Sequence, residues 1–328
     1  MSVYKRVRKI KIRSPQKTPE NENPKMLFDE WFRIWLNDYK KLRVKEGTFE
    51  TYRQYYKSLV FPSFGKTRLC DIRCSDLQRF FNNLAERGYS LSTIKIALVL
   101  ISGSLRRAVL NGILKKNPAK SVQLPIIPPK KERLALTKEQ QALFTEYSKE
   151  SPLQAYFALL LRTGLRNGEL RALRHSDIDY ALGLIHIRRT LKYYDGRGYF
   201  EDTPKTRSSV REIPLTADII KNIPEKDPSS PEDFVFTGKN GKPLGRDKIQ
   251  SEMDKIVERI KKDGHSFERI TPHVLRHTFA TRAIEAGMSP QVLKTILGHS
   301  SISMTMDLYS HVMNETKISE MEKISSCF

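Results

Sequence analysis

The sequence predicts a mainly α chain built as two domains: a helical domain over residues 27–124 and an α+β domain over 134–328 with a small antiparallel sheet. Three observations predict this. Apolar residues recur at helical spacing throughout 27–124, a proline-rich basic stretch then breaks the pattern, and the remainder mixes helical periodicity with one short β-patterned region. A length of 328 residues also suits about two domains of roughly 150 residues each.

Residues 1–26 begin with Lys5, Arg6, Arg8, Lys9, Lys11, Arg13 and Lys17 and continue as a polar run from Pro19 to Pro24. Too few apolar residues occur there to build a core, so a basic tail is expected. Trp31, Trp35 and Tyr39 stand at i, i+4 and i+8, which puts three aromatics on one buried helix face. Further helices are expected over 48–59, over 75–87 with Ser75 as N-cap, and over 90–111. Pro118, Pro125, Pro128 and Pro129, with Lys130 and Lys131, describe a stiff connection whose linker proper is 125–133. The second domain opens with helices over 137–149 and 152–163. Its sheet comes from 184–190, a glycine-containing turn at 195–198 and a segment ending at Ile213. Helices resume over 246–262 and over 272–286, the latter with Thr271 as N-cap, Pro272 at the first helical position and Gly287 just past the end. Ser289, Pro290 and Gly298 bracket one more helix in the same way.

Charge is the first functional clue. The formal net charge is +21, and residues 1–124 hold most of the excess. A polyanionic partner is the simplest explanation, and nucleic acid the first candidate. Apolar runs such as 96–101 fall far short of the roughly 20 residues needed to span a bilayer. No apolar stretch follows the basic first residues, and the three cysteines, Cys70, Cys74 and Cys327, make no disulfide framework. A membrane or secreted protein is therefore not expected; a cytoplasmic, nucleoid-associated one is.

Polar functional groups crowd the last 60 or so residues. His273, Arg276 and His277 share one helix face. His299 follows Gly298 at a helix end, and Tyr309 lies in the run Met306-Asp-Leu-Tyr-Ser-His311. A zinc site is rejected, because Val274 stands where the His-Glu-x-x-His motif needs its glutamate and Arg276 would put a cation beside the metal. The run Gly238-Lys-Asn-Gly-Lys-Pro lacks phosphate-loop spacing and reads as a turn. Upstream, Thr163-Gly-Leu-Arg-Asn-Gly-Glu169 places Arg166 between a helix ended by Gly164 and one capped by Asn167. Taken singly, Arg166 and Glu169 read as a surface ion pair, Tyr309 as a core tyrosine and His299 as a helix-end stabiliser.

Together these residues resemble the tyrosine recombinase, or phage integrase, family, and in general character the integrases of mobile elements in Gram-positive bacteria. The resemblance is carried in order by Thr163-Gly-Leu-Arg-Asn-Gly-Glu169, by Thr203-Pro-Lys-Thr-Arg-Ser-Ser-Val-Arg-Glu-Ile-Pro-Leu215, by His273-Val-Leu-Arg-His-Thr-Phe-Ala-Thr281, by Leu297-Gly-His-Ser300 and by Tyr309. It is sharp over 163–311 and looser over 27–124, which looks like the family's helical core-binding, SAM-like domain.

The resemblance implies a site-specific DNA recombinase that closes on double-stranded DNA and cuts and rejoins it through a 3′-phosphotyrosine intermediate. Integration and excision of a mobile element is the expected role. A chromosome-dimer resolvase, an inversion recombinase and a non-catalytic DNA-binding regulator are the alternatives. By motif, Arg166 and Arg276 clamp the phosphate, Tyr309 is the nucleophile, His273 the base and His299 a phosphate donor. Lys205 is the general acid, with Lys192 its rival, while Glu169 and His277 support the cluster. No cofactor or metal is implied. Partners would be the recombination sites, three further copies in a synaptic homotetramer, and an excisionase or host architectural protein. About 25 residues precede the core-binding helices, fewer than an arm-site domain requires, so the chain is expected to be arm-less or a piece of a longer protein.

Overall fold

A computed structural model describes residues 25–128, 135–194, 198–202, 210–225, 230, 232–238, 241–306, 309 and 325. The chain divides into two units, Met1–Lys131 and Glu132–Phe328.

The first unit is helical because aromatic and aliphatic residues repeat at helical spacing. Helix α1 (Phe28–Ile34) runs on into a wider π-type segment, Trp35–Lys40, so the tryptophans stay inward. Trp31 and Trp35 are buried, and the Trp31 indole donates to the Ser104 carbonyl at 2.9 Å. Tyr39 lies at the edge of this core, where its hydroxyl accepts from the Asn111 amide at 2.7 Å. Helix α2 (Glu46–Tyr55) continues through Tyr56–Val60 into the short α3 (Phe61–Phe64), and the Tyr56 ring stacks on Phe32 with centroids 3.7 Å apart. Helix α4 (Cys74–Glu86) has its N-cap two residues before the expected position. Arg73, not Ser75, is its N-cap, because the Asp76 carboxylate reaches back to accept the Arg73 amide at 3.2 Å. Helix α5 (Leu91–Leu110) is capped by Ser90, whose hydroxyl accepts from the Thr93 amide.

In the second unit, Thr137 caps α6 (Lys138–Ser148), and α7 (Gln154–Thr163) ends at Gly164 with φ +61°. The short α8 (Asn167–Arg171) follows at once. The expected strand 184–190 is really two. Strand β2 (Leu184–Ile187) pairs with β1 (Ile178–Asp179) and with β5 (Arg211–Pro214), while β3 (Thr190–Tyr194) and β4 (Gly198–Asp202) form a separate antiparallel hairpin. In the β2–β5 register Ile185 faces Ile213 and His186 faces Glu212, so the isoleucines enter the core and the polar pair stays at the surface. Helix α9 (Ala217–Ile220) and the long α10 (Arg246–Lys262) add Ile219, Met253, Ile256 and Ile260 to that core. Helix α11 (Pro272–Glu285) packs on α7, and α12 (Pro290–Leu297) packs on α11 and β5. Thr271 holds the N-cap position of α11 without a side-chain cap bond, whereas Ser289 caps α12 through the Val292 amide. Among the described residues no helix is long and apolar enough to cross a membrane.

Candidate active site

Helices α7 and α12 both end in a left-handed glycine, Gly164 (φ +61°) and Gly298 (φ +64°). A helix end leaves carbonyls without intrahelical partners, and here those carbonyls receive arginines. Arg276, buried on α11, donates to the Gly164 carbonyl at 2.6 Å and to the Leu297 carbonyl at 2.8 Å. Arg166 donates to the Gly298 carbonyl at 2.8 Å and to Glu169 Oε1 at 2.7 Å. Two arginines 110 positions apart in sequence are thus fixed on adjacent peptides at the end of α12.

Glu169 is the hub. Its carboxylate is buried and also accepts the Arg166 backbone amide at 2.9 Å, so Arg166 is itself the N-cap of α8 and Asn167 is the first helical residue. The expected surface ion pair is in fact a buried one on the glutamate side. Sequence reading missed Arg211, whose fork straddles both Glu169 oxygens at 3.1 and 2.8 Å. Burial alone would raise the Glu169 carboxyl, but the Arg211 hydrogen bonds and charge, followed by Arg166, hold it below its ordinary value. Burial pushes the Arg276 guanidinium down, with Arg166 adding to the effect. It remains a cation at neutral pH. Three guanidiniums around one carboxylate leave an excess of two positive charges.

The histidines gather on the same cluster. His299 is buried, and its Nδ1 lies 3.0 Å from the Thr305 hydroxyl. Burial, then Arg276, Arg166 and Arg211, push its imidazole down to about 4. It is neutral at pH 7, and the tautomer in which Nδ1 accepts from Thr305 leaves Nε2–H as a donor. His273 stands exposed at the rim, yet partial burial, then His277, Arg276 and Arg166, also push it down to about 4. Its ring meets that of His277 edge to face, with centroids 4.8 Å apart. Beside His299 lies a cleft of about 680 Å³, bordered by His186, Arg188, Arg211 and Lys294.

Tyr309 sits differently. It is buried against Ala280, Ala283, Ile284, Leu293 and Leu297, and its hydroxyl has no hydrogen-bond partner among the described residues. Burial raises its phenol above the ordinary value. In this structure it is a core tyrosine of the α11–α12 pair, not a partner of the arginines. Lys205 and His311 lie outside the described residues. Lys192 is ion-paired with Asp202 across the β3–β4 hairpin at 2.5 Å.

Comparison with known proteins adds a family. The phage integrase family matches residues 134–316, more than half of the chain, and the phage integrase N-terminal SAM-like domain matches 27–85. A XerC-like tyrosine recombinase of Caldanaerobacter subterraneus subsp. tengcongensis is 28% identical, with 90% of this chain and 81% of that protein covered. The transposase from transposon Tn916 of Enterococcus faecalis is also 28% identical, over 86% of this chain and 74% of its own length. Among solved structures, the Tn1549 transposon integrase in complex with transposon right end DNA superposes with a TM-score of 0.77 at 27% identity, covering 92% of this chain and all of that one. A lambda integrase dimer on a core site, 18% identical with a TM-score of 0.66, shares the fold.

Proposed function

This chain belongs to the phage integrase family, and on that footing we propose that it is a site-specific DNA recombinase that integrates and excises a mobile element. One observation carries the proposal: Arg166 and Arg276 are locked onto neighbouring carbonyls beside the neutral donor His299. Such a cluster suits a phosphodiester whose transition state concentrates charge on two non-bridging oxygens. The DNA complexes of the Tn1549 integrase supply the substrate class.

The chemistry follows from the groups. Arg166 and Arg276 each face a non-bridging oxygen, and His299 donates a hydrogen bond to one of them. Tyr309 gives its phenolic proton to the neutral imidazole of His273 and attacks phosphorus, forming the tyrosyl–phosphate bond. The bond to the 5′-oxygen breaks, and Lys205 protonates the departing oxygen. The reverse step, with a 5′-hydroxyl from a partner strand, rejoins the DNA without an external energy source. Because the Tyr309 hydroxyl is buried in apolar surroundings, Tyr309 moves on DNA binding to bring it to phosphorus. Exchange of both strands calls for four copies, two on each duplex. An excisionase or host architectural protein sets direction.

A duplex nicked just 3′ of the scissile phosphate tests this, because loss of the short fragment bearing the 5′-hydroxyl traps the covalent adduct on a denaturing gel. Wild type should form the adduct, and Tyr309→Phe should bind equally well and form none. An adduct of normal yield with Tyr309→Phe removes the assignment.

A further inference from the structure

We propose that Arg211 is a positioning residue for the arginine clamp: it fixes both receptors of the Arg166 guanidinium at once. The proposal rests on the recombinase reading of the site. Arg211 opens strand β5, where burial alternates strictly, so its side chain points inward. There it is almost wholly buried, with only 2% of the side chain exposed. Its two Nη atoms lie on the two oxygens of Glu169, and its Nε donates to the Ile296 carbonyl at 2.5 Å.

Each contact bears on Arg166. Glu169 Oε1 accepts from both guanidiniums, so a Glu169 released by Arg211 could rotate away from Arg166. The second receptor is the Gly298 carbonyl. Gly298 rests directly on Arg211, since a Cβ at that position would lie 3.0 Å from one Arg211 Nη and 3.1 Å from its Cδ. Arg211 therefore supports the peptide that holds Arg166 and that precedes His299. Its fork is engaged within the protein, by a carboxylate and a carbonyl, so its work on the reaction passes through Arg166.

Lysine cannot reproduce the arrangement. An ammonium is a point charge without a planar fork, and cannot span both carboxylate oxygens and the Ile296 carbonyl together. Arg211→Lys keeps the charge beside Glu169, so it should fold and bind DNA while leaving Arg166 loosely held. A misplacement of about 1 Å costs on the order of 10²-fold in rate.

The test uses single-turnover adduct formation by the full chain on the nicked duplex, at saturating DNA. Arg211→Lys should be slower by about 10²-fold, with unchanged DNA affinity and a melting temperature near that of wild type. A second substrate replaces one non-bridging oxygen by methyl at the scissile phosphate, so it carries no negative charge there. On this methylphosphonate the defect of Arg211→Lys, like that of Arg166→Lys, should shrink towards unity, and the two substitutions together should be no worse than Arg166→Lys alone. A purely structural residue would slow both substrates alike and add to Arg166→Lys. Either result overturns the proposal, as does wild-type cleavage by Arg211→Lys or a variant too unstable to bind DNA. Absence of any wild-type adduct would instead remove the recombinase reading itself.

Discussion

Gly164→Ala probes the joint on which the site is built. At φ +61° an alanine suffers a left-handed strain of about 1–2 kcal/mol. Its Cβ would also lie 2.3 Å from Cδ1 and 2.8 Å from Cε1 of the Phe279 ring, and 3.0 Å from a Leu297 methyl. Overpacking of that kind costs about 1–3 kcal/mol more, for roughly 2–5 kcal/mol in all. At about 2–4 °C per kcal/mol for a unit of this size, melting should fall by roughly 4–20 °C. Gly287→Ala is the control. It has φ +80° but nothing within 4 Å of the new Cβ, so only the strain applies, about 1–2 kcal/mol. Denaturant and thermal melts of the two variants should differ by about 1–3 kcal/mol. Cleavage, assayed where both are folded, should suffer only in Gly164→Ala, because the Gly164 carbonyl holds Arg276. Equal destabilisation, or equal cleavage, would refute the claim that close packing at Gly164 sets the clamp.

Tyr309→Phe should leave melting unchanged or slightly raised while abolishing the adduct, because it deletes a buried hydroxyl with no partner among the described residues; a drop of several degrees would reveal a partner that matters. Recombination should proceed in excess EDTA if, as proposed, guanidiniums perform the charge stabilisation a metal would otherwise supply, and activity that returns only with added Mg²⁺ would contradict this. His299 titrates near 4 when folded against 6.5 when unfolded, so between those values the unfolded chain holds the extra proton. Stability should therefore rise with pH across that window and be lost on acidification, by up to about 1.4 kcal/mol per pH unit for one such group. His299→Gln should reduce that slope in urea melts at pH 4.5–6.5, with His273 keeping its own share, and an unchanged slope would assign the proton elsewhere.

Much of the fold was legible because local rules and tertiary packing agree. The Trp31–Trp35 spacing gave a buried helix face, and Gly164 and Gly298 mark helix ends that the backbone confirms. Cap assignments went wrong where a carboxylate three residues inside the helix reaches back to the N-cap amide, as Asp76 does for Arg73 and Glu169 for Arg166. A side chain of any type can then hold the N-cap position, so a search for Ser, Thr or Asn there looks for the wrong residue. Arg166 and Arg276 were nameable because each sits in a recognisable run, but the partner joining Arg166 to strand β5 was not, since Arg211 meets Glu169 across 42 positions with no local periodicity. A signal was present: in the alternation of Arg211, Glu212, Ile213 and Pro214 the arginine takes the same inward face as Ile213. An arginine on a core-facing strand position demands a buried anion, and Glu169 is that anion. Tyr309 shows the opposite limit, since sequence suggested its chemistry and the structure places it in an apolar cluster.

On the recombinase reading of the site, the use of helix ends explains why arginine rather than lysine would be required. The C-termini of α7 and α12 converge on the cluster, and each carries about half a negative charge from its unpaired carbonyls. An approaching phosphate would be repelled by both ends if they were bare. Lysine could neutralise one carbonyl, but an ammonium bound there has its charge centred on that contact. A guanidinium spreads its charge over a plane with five N–H donors, so some edges can be satisfied by protein carbonyls while others face the substrate. Arg276 spends one Nη on each helix end, and Arg166 spends one on Gly298 and one on Glu169. On the proposed reading these anchoring bonds fix the guanidiniums in advance, so little reorganisation would be left for the moment when charge develops on the phosphate. Glu169 lowers the total charge, yet it holds two guanidiniums in register and keeps mutually repelling cations in one buried place. On that reading the remaining excess of two charges would match the two negative charges that a phosphodiester gathers on its non-bridging oxygens at the transition state.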